Sequence, residues 1–238
     1  MVECADCGMV FIGNELSYSA QQEDHDWIDE HRKETERRRE RHPVLVYLSR
    51  LLKPLRGNAH DRMLARTLRW RREGKLADFG CGEGRFLERA AKYFELTGIE
   101  LSPRNAELSA RNAPSARILR GPVTEVAAGE LAGETFDVVT QFGYLEHEWE
   151  PVEGLRAAYR VLKPGGVTII KTPNYACWNR RVMGLDWPGY HLPAHCNYFT
   201  PKTLERMLRM TGFERQRRRP AESLPTSDSL WMTGRKAG

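Results

Sequence analysis

Leu76-Ala77-Asp78-Phe79-Gly80-Cys81-Gly82-Glu83-Gly84 is the stretch on which the fold turns. A short apolar run ends in three alternating glycines, and Phe86, Leu87, Ala90, Ala91 and Phe94 then fall at helical spacing. Strand, glycine turn and helix follow one another without a gap. Glycines let the backbone turn tightly and bring its N–H groups against a ligand with no Cβ in the way. The loop sits at the carboxyl end of a first strand, where open α/β sheets bind their ligands. No Gly-Lys-Ser/Thr follows the loop, which disfavours a triphosphate hydrolase.

The same alternation continues outward. Residues 96–100 read as a second strand, and Ser102-Pro103 as an N-cap and first-turn pair whose helix stops at residues 112–114. Residues 117–119 and 136–140 read as the third and fourth strands. Val152, Leu155, Tyr159 and Leu162 form a helical stripe that Pro164-Gly165 terminates, and the β-branched run 167–170 is a strand covered on both faces. Thr200-Pro201 caps a helix carrying Leu204, Met207 and Leu208 and ending at Gly212, and residues 213–219 and 230–233 supply two closing strands. The expected fold is a doubly wound, Rossmann-like α/β sheet of seven mostly parallel strands with a helical N-terminal extension.

The chain of 238 residues is 40% hydrophobic and 29% charged, enough apolar material for one core. Its formal charge of +5 is a weak basic balance and gives no strong pointer to nucleic acid. No apolar run reaches the roughly 20 residues of a bilayer span, and no basic-then-apolar leader opens the chain. Five cysteines do not make a disulfide scaffold, so a cytoplasmic protein without a membrane span is expected. Three parts are expected. Residues 1–20 hold a Cys4-x-x-Cys7-Gly8 knuckle like one half of a zinc ribbon; residues 21–74 are a charged helical extension; residues 75–238 are the α/β domain. One knuckle lacks the four ligands of a closed zinc site, so no metal is assigned. The mixed charges of 29–41 read as a solvated helix, and the arginines of 215–219 as a charged edge strand.

Glu100 lies twenty residues beyond Gly80, at the end of the second strand, where a carboxylate can accept hydrogen bonds from both ribose hydroxyls. Asp78 and Glu83 flank the loop; carboxylates there repel a diphosphate and favour a ligand carrying ammonium and sulfonium. The segment 78–84 thus resembles motif I of the class I S-adenosylmethionine-dependent methyltransferases. Residues 136–139, Tyr144-Leu145-Glu146-His147 and 162–166 follow in the same order as in that family. Residues 193–200 and Gly212-Phe213 are most similar to its small-molecule branch, which includes quinone-biosynthesis and sugar methyltransferases.

The resemblance implies S-adenosylmethionine as cofactor and a small acceptor such as a sugar or a quinone-type ring. It implies Asp78, Gly80, Cys81, Gly82 and Gly84 around the methionine part, Glu100 on the ribose, Leu101 and Val123 by the adenine, and Gln141 at the methionine border. One departure stands out: the family often has an acid after the glycine matching Gly121, on the adenine amino group, and here Pro122 replaces it. Adenine recognition then rests on backbone groups, Thr124 or Glu125. Positioning can supply most of the catalysis of methyl transfer. An acceptor that must lose a proton also needs a base, and His147, His191, His195 and Tyr198 are the candidates. Each has a structural alternative, His147 capping a helix and His195 anchoring a loop. The rival functions are methylation of RNA and a non-catalytic cofactor-binding or assembly role. The oligomeric state is not legible.

Overall fold

In the computed structural model, residues 1–13, 36, 37, 39–41, 43, 58–192, 194–215 and 227–238 are described. The strands β1 (Val2–Glu3) and β2 (Val10–Phe11) form a hairpin, and helix α1 (Ala59–Thr67) precedes the alternating part. There β3 (Lys75–Phe79), α2 (Arg85–Ala90), β4 (Glu95–Glu100), α3 (Pro103–Asn112) and β5 (Arg117–Arg120) follow in turn. Next come α4 (Val123–Ala128), β6 (Phe136–Phe142), α5 (Pro151–Val161) and β7 (Leu162–Pro173). The chain continues through α6 (Trp178–Met183), β8 (Asn197–Tyr198), α7 (Pro201–Met210), β9 (Glu214–Arg215) and β10 (Ser229–Arg235).

The main sheet has seven strands in the order β5-β4-β3-β6-β7-β10-β9. From β5 to β7 neighbours run parallel, and β10 lies antiparallel to both β7 and β9. Neighbouring residues on a strand serve opposite faces, as the pleat requires. Ala77, Val139 and Ile170 join Leu155, Ala158, Leu204 and Leu208 of α5 and α7 in one apolar cluster. Leu76, Val138 and Ile169 join Met63 of α1 and Phe86, Leu87 and Ala90 of α2 in another. Burying each large side chain contributes about 1.5–3 kcal/mol. The sheet is therefore covered on both sides, which leaves its carboxyl edge as the place for a cleft.

Local chemistry sets the element ends. Ser102 accepts a hydrogen bond from the Asn105 amide and opens α3, with Pro103 in its first turn. Thr200 and Thr203 form a reciprocal capping box at the start of α7. Three expectations shift. Ala91 is exposed because α2 stops at Ala90. Leu162 belongs to β7 rather than to the stripe of α5, and residues 163–166 are taken up by a register shift between the Phe136–Leu162 and Val138–Val167 pairs. The N-terminal knuckle is not separate either: β2 pairs with β8, so β1, β2 and β8 form a small three-stranded sheet. Of the 29–41 run, residues 36, 37 and 39–41 are helical, and Arg41 pairs with Asp186 at 2.8 Å. Residues 216–219 of the arginine run, and most of the 21–74 extension, lie outside the described residues. Among the described residues no helix is long and apolar enough to cross a membrane.

Candidate active site

A cavity of about 350 Å³ opens at the carboxyl ends of β3, β4 and β6. One wall is built from backbone turns: Gly80 and Gly82 after β3, Glu100 to Ser102 after β4, and residues 121–123 after β5. The other is built from side chains that follow β6, namely Tyr144, His147 and Glu148, with His191 reaching in from the segment beyond β7.

On the first wall Glu100 is held by two backbone amides, Gly82 N–H donating to Oε2 at 2.7 Å and Ser102 N–H to Oε1 at 2.9 Å. Burial pushes its carboxyl up, and these amides oppose the shift. Gly82 meets nothing within 4 Å at its Cβ position, so the loop leaves open space on the cavity side. Gly84 has a different task. Its φ is +75°, and a Cβ there would stand 2.9 Å from Ser109 Cα, so the bare backbone lets α2 and α3 approach.

Several of the expected cofactor residues lie behind this surface. Asp78 is buried and accepts a 2.6 Å hydrogen bond from the Thr140 hydroxyl; burial pushes its carboxyl up to about 7 despite that bond. Cys81 packs inward with its sulfur 3.5 Å from Ser109 Oγ, and burial raises its thiol strongly. Gln141 is fully buried and donates to Thr168 Oγ1 at 2.9 Å, while its Oε1 has no hydrogen-bond partner among the described residues. Glu83 turns toward Arg85 at 3.5 Å. Gly80, Gly82, Glu100, Leu101 and Val123 line the cavity, whereas Asp78, Cys81, Gly84 and Gln141 do not. The charge that Asp78 and Glu83 were expected to bring to the ligand is thus placed below and beside the loop.

The second wall carries the histidines. His147 Nδ1 donates to the Ala194 carbonyl at 3.0 Å, which leaves Nε2 as the proton-accepting nitrogen of the neutral ring. Burial, reinforced by His195, pulls its imidazole down to about 3. His195 stacks edge-on against both His147 and His191 and donates from Nδ1 to the Gly189 carbonyl at 2.9 Å. It joins the two cavity histidines from behind. Tyr198 is also behind the wall, packed with Tyr175 and Tyr190 at ring distances of 5.5 Å. Glu146, buried and pushed up to about 7 by desolvation, brings one ligating atom within 4.8 Å of His147 and His195. The sequence pattern gave no sign of that grouping. It also missed Ser102, Asn105, Tyr144 and Glu148 as lining residues. Tyr144 and Glu148 stand four apart after a strand end, a spacing that places two side chains on one face of a turn.

Comparison with known proteins agrees with this architecture. A family model described as a methyltransferase domain matches residues 37–216, and the chain belongs to that family. It is an S-adenosylmethionine-dependent methyltransferase. The chain is 32% identical over 171 residues to a ubiquinone biosynthesis O-methyltransferase of Cereibacter sphaeroides strain KD131, covering 68% of each chain. It is 28% identical over 169 residues to the protein so named from Leptothrix cholodnii, covering 67% of this chain and 72% of that one. Among solved structures, the N-methyltransferase NodS of Bradyrhizobium japonicum, in complex with S-adenosyl-L-homocysteine, superposes with a TM-score of 0.56 at 16% identity over 78% of this chain and 91% of NodS. The magnesium protoporphyrin IX methyltransferase of Synechocystis gives a TM-score of 0.56 at 15% identity over 75% and 82%. These two likenesses concern the fold alone.

Proposed function

We propose that the protein methylates a hydroxyl oxygen on a small acceptor with a quinone-type ring. The observation that carries the reading is one continuous cavity with the Glu100 carboxylate on one wall and His147 and His191 on the other. The relatives named for ubiquinone biosynthesis are O-methyltransferases, which supports a ring hydroxyl over a sugar.

The residues fit the methyl donor. Glu100 would accept from the ribose hydroxyls, Leu101 and Val123 would flank the adenine, and Gly80 and Gly82 would run beside the methionine part. Gln141, at the end of β6, would border the methionine part from beneath the cavity surface, its Oε1 lacking a hydrogen-bond partner among the described residues. When bound, the donor supplies an electrophilic methyl carbon on sulfur. The chain's own contribution is to orient the acceptor oxygen in line with that carbon and to take its proton. His147 is the base in this reading, because it lines the cavity and its environment keeps the ring neutral, with Nε2 the unprotonated nitrogen. His195 positions it. With all five thiols free, a cytoplasmic location is the natural one. We read the charged residues 21–74 as a segment leading into the catalytic domain, with Met63 of α1 already packed on its core.

Methyl transfer from labelled S-adenosylmethionine to catechols, hydroquinones and free hexoses tests the proposal. An O-methylated ring product is expected. Transfer to hexoses or to nitrogen acceptors alone would overturn the ring-oxygen assignment.

A further inference from the structure

Adenine presents one exocyclic amino donor, and burying a donor without an acceptor costs affinity. The apolar part of the cavity, between Ile99 and Leu101 on one strand end and Pro122 and Val123 on the next, carries no side-chain acceptor. Thr124 and Glu125, the nearest side chains in sequence that could serve, do not line the cavity. Glu100 already accepts two backbone amides and lies where the ribose is proposed to sit.

A second acidic residue lines the same space. Glu148 lines the cavity yet is only 5% exposed, and the Tyr144 hydroxyl donates to its Oε2 at 2.5 Å. Its backbone is pinned by Asn197 Nδ2, which donates to the Glu148 carbonyl at 2.5 Å. Glycines make room for the pair. A Cβ on Gly154 of α5 would stand 3.0 Å from the Tyr144 oxygen, and one on Gly80 would stand 3.2 Å from the Tyr144 ring. The location also fits. Pro122 directly precedes α4 and Glu148 lies just ahead of α5; both helices leave the carboxyl ends of parallel strands and pack against each other. Glu148 and the turn at 121–123 thus border one cavity.

Resting on the reading that this cavity holds S-adenosylmethionine, we infer that Glu148, oriented by the Tyr144 hydroxyl, accepts a hydrogen bond from the adenine amino group and takes the place of the acid missing at Pro122. An ionised carboxylate offers about four lone-pair sites, and the Tyr144 hydroxyl and the Glu150 amide are among the donors to this one. Asn105 is the competing acceptor on the cavity rim, but it is less buried and uncharged, so its bond would be weaker.

The experiment compares S-adenosylhomocysteine with S-inosylhomocysteine, whose ring carries an oxygen where adenine carries the amino group. Dissociation constants are measured by calorimetry for the wild type, Glu148→Gln and Tyr144→Phe, with melting temperatures taken in parallel. The wild type should prefer the adenosyl ligand by about tenfold or more, the scale of a hydrogen bond to a charged group. Glu148→Gln should bring the two ligands to within about threefold, because a carboxamide can also donate to the ring oxygen. Tyr144→Phe should narrow the preference in part, and it carries the test if Glu148→Gln fails to fold. Equal binding of both ligands by the wild type overturns the assignment. So does an unchanged preference in folded Glu148→Gln, which would leave the cofactor site standing and transfer the role to Asn105 or to backbone. Failure of the wild type to bind either ligand would sink the cofactor reading, and the assignment with it.

Discussion

The two walls of the cavity are built on different principles. The glycine wall owes its shape to backbone: amides hold Glu100, Gly84 lets α2 meet α3, and the polar side chains beneath are buried in the sheet. The histidine wall owes its shape to side chains on short loops, held by ring contacts among His147, His195 and His191 and by carbonyls at 189 and 194. A wall made of backbone is hard to alter without unfolding. One made of side chains can change its chemistry residue by residue, as acceptor choice requires.

That contrast can be broken at several points. Gly84→Val should have the largest effect on stability, about 3–5 kcal/mol, because a side chain would clash with Ser109 in a left-handed backbone conformation. Urea unfolding would measure it, and a loss under 1 kcal/mol would show that the loop is more adaptable than its geometry implies. His147→Ala should slow transfer by about a hundredfold while leaving S-adenosylhomocysteine affinity within about twofold, as expected of a base that does not hold the cofactor. A parallel loss of cofactor affinity would place His147 on the wrong wall. Glu100→Ala should do the reverse. Its dissociation constant for S-adenosylhomocysteine should rise by about ten- to fiftyfold in a titration, the scale of lost charged hydrogen bonds.

Trp187→Phe is a finer probe. Trp187 is fully buried, and its Nε1–H donates to Asp228 Oδ1 at 3.1 Å, tying the segment behind the histidines to the start of β10. Removing that bond should cost about 1 kcal/mol of stability with no change in cofactor affinity. The last comparison concerns pH. Burial holds His147 near 3 when folded, against an ordinary 6.5. Between those values the unfolded chain binds a proton that the folded chain refuses, so this residue's contribution to stability is lost as pH falls below about 6.5. Melting curves of wild type and His147→Gln should therefore converge as pH drops from 7 toward 4. A constant gap would mean that His147 is solvated.

Legibility in the sequence followed the length of each pattern. The strands around residues 76–79 and 96–100 and the helix capped by Ser102 were read from apolar periodicity and capping chemistry, because each signal spans a whole element. The pairing of β2 with β8 was not, since two-residue strands have no period to detect. At the site, Gly80, Gly82 and Glu100 could be read because a fixed spacing on consecutive elements carries them. Glu148 and Tyr144 could not, as nothing in their local sequence says that Gly154 leaves space beside them.

The sequence by itself determined the class of fold, the order of its elements and the strand ends at which a ligand would lie. Those follow from local spacing, which backbone geometry turns directly into strands, turns and helices. Only the tertiary structure decided that Asp78 and Cys81 lie beneath the loop, that His195 stands behind two cavity histidines, and that a carboxylate at 148 shares a cavity with Pro122. Such facts depend on how α3, α4 and α5 pack. Packing is settled by contacts between residues far apart in the chain, which no short window of sequence contains.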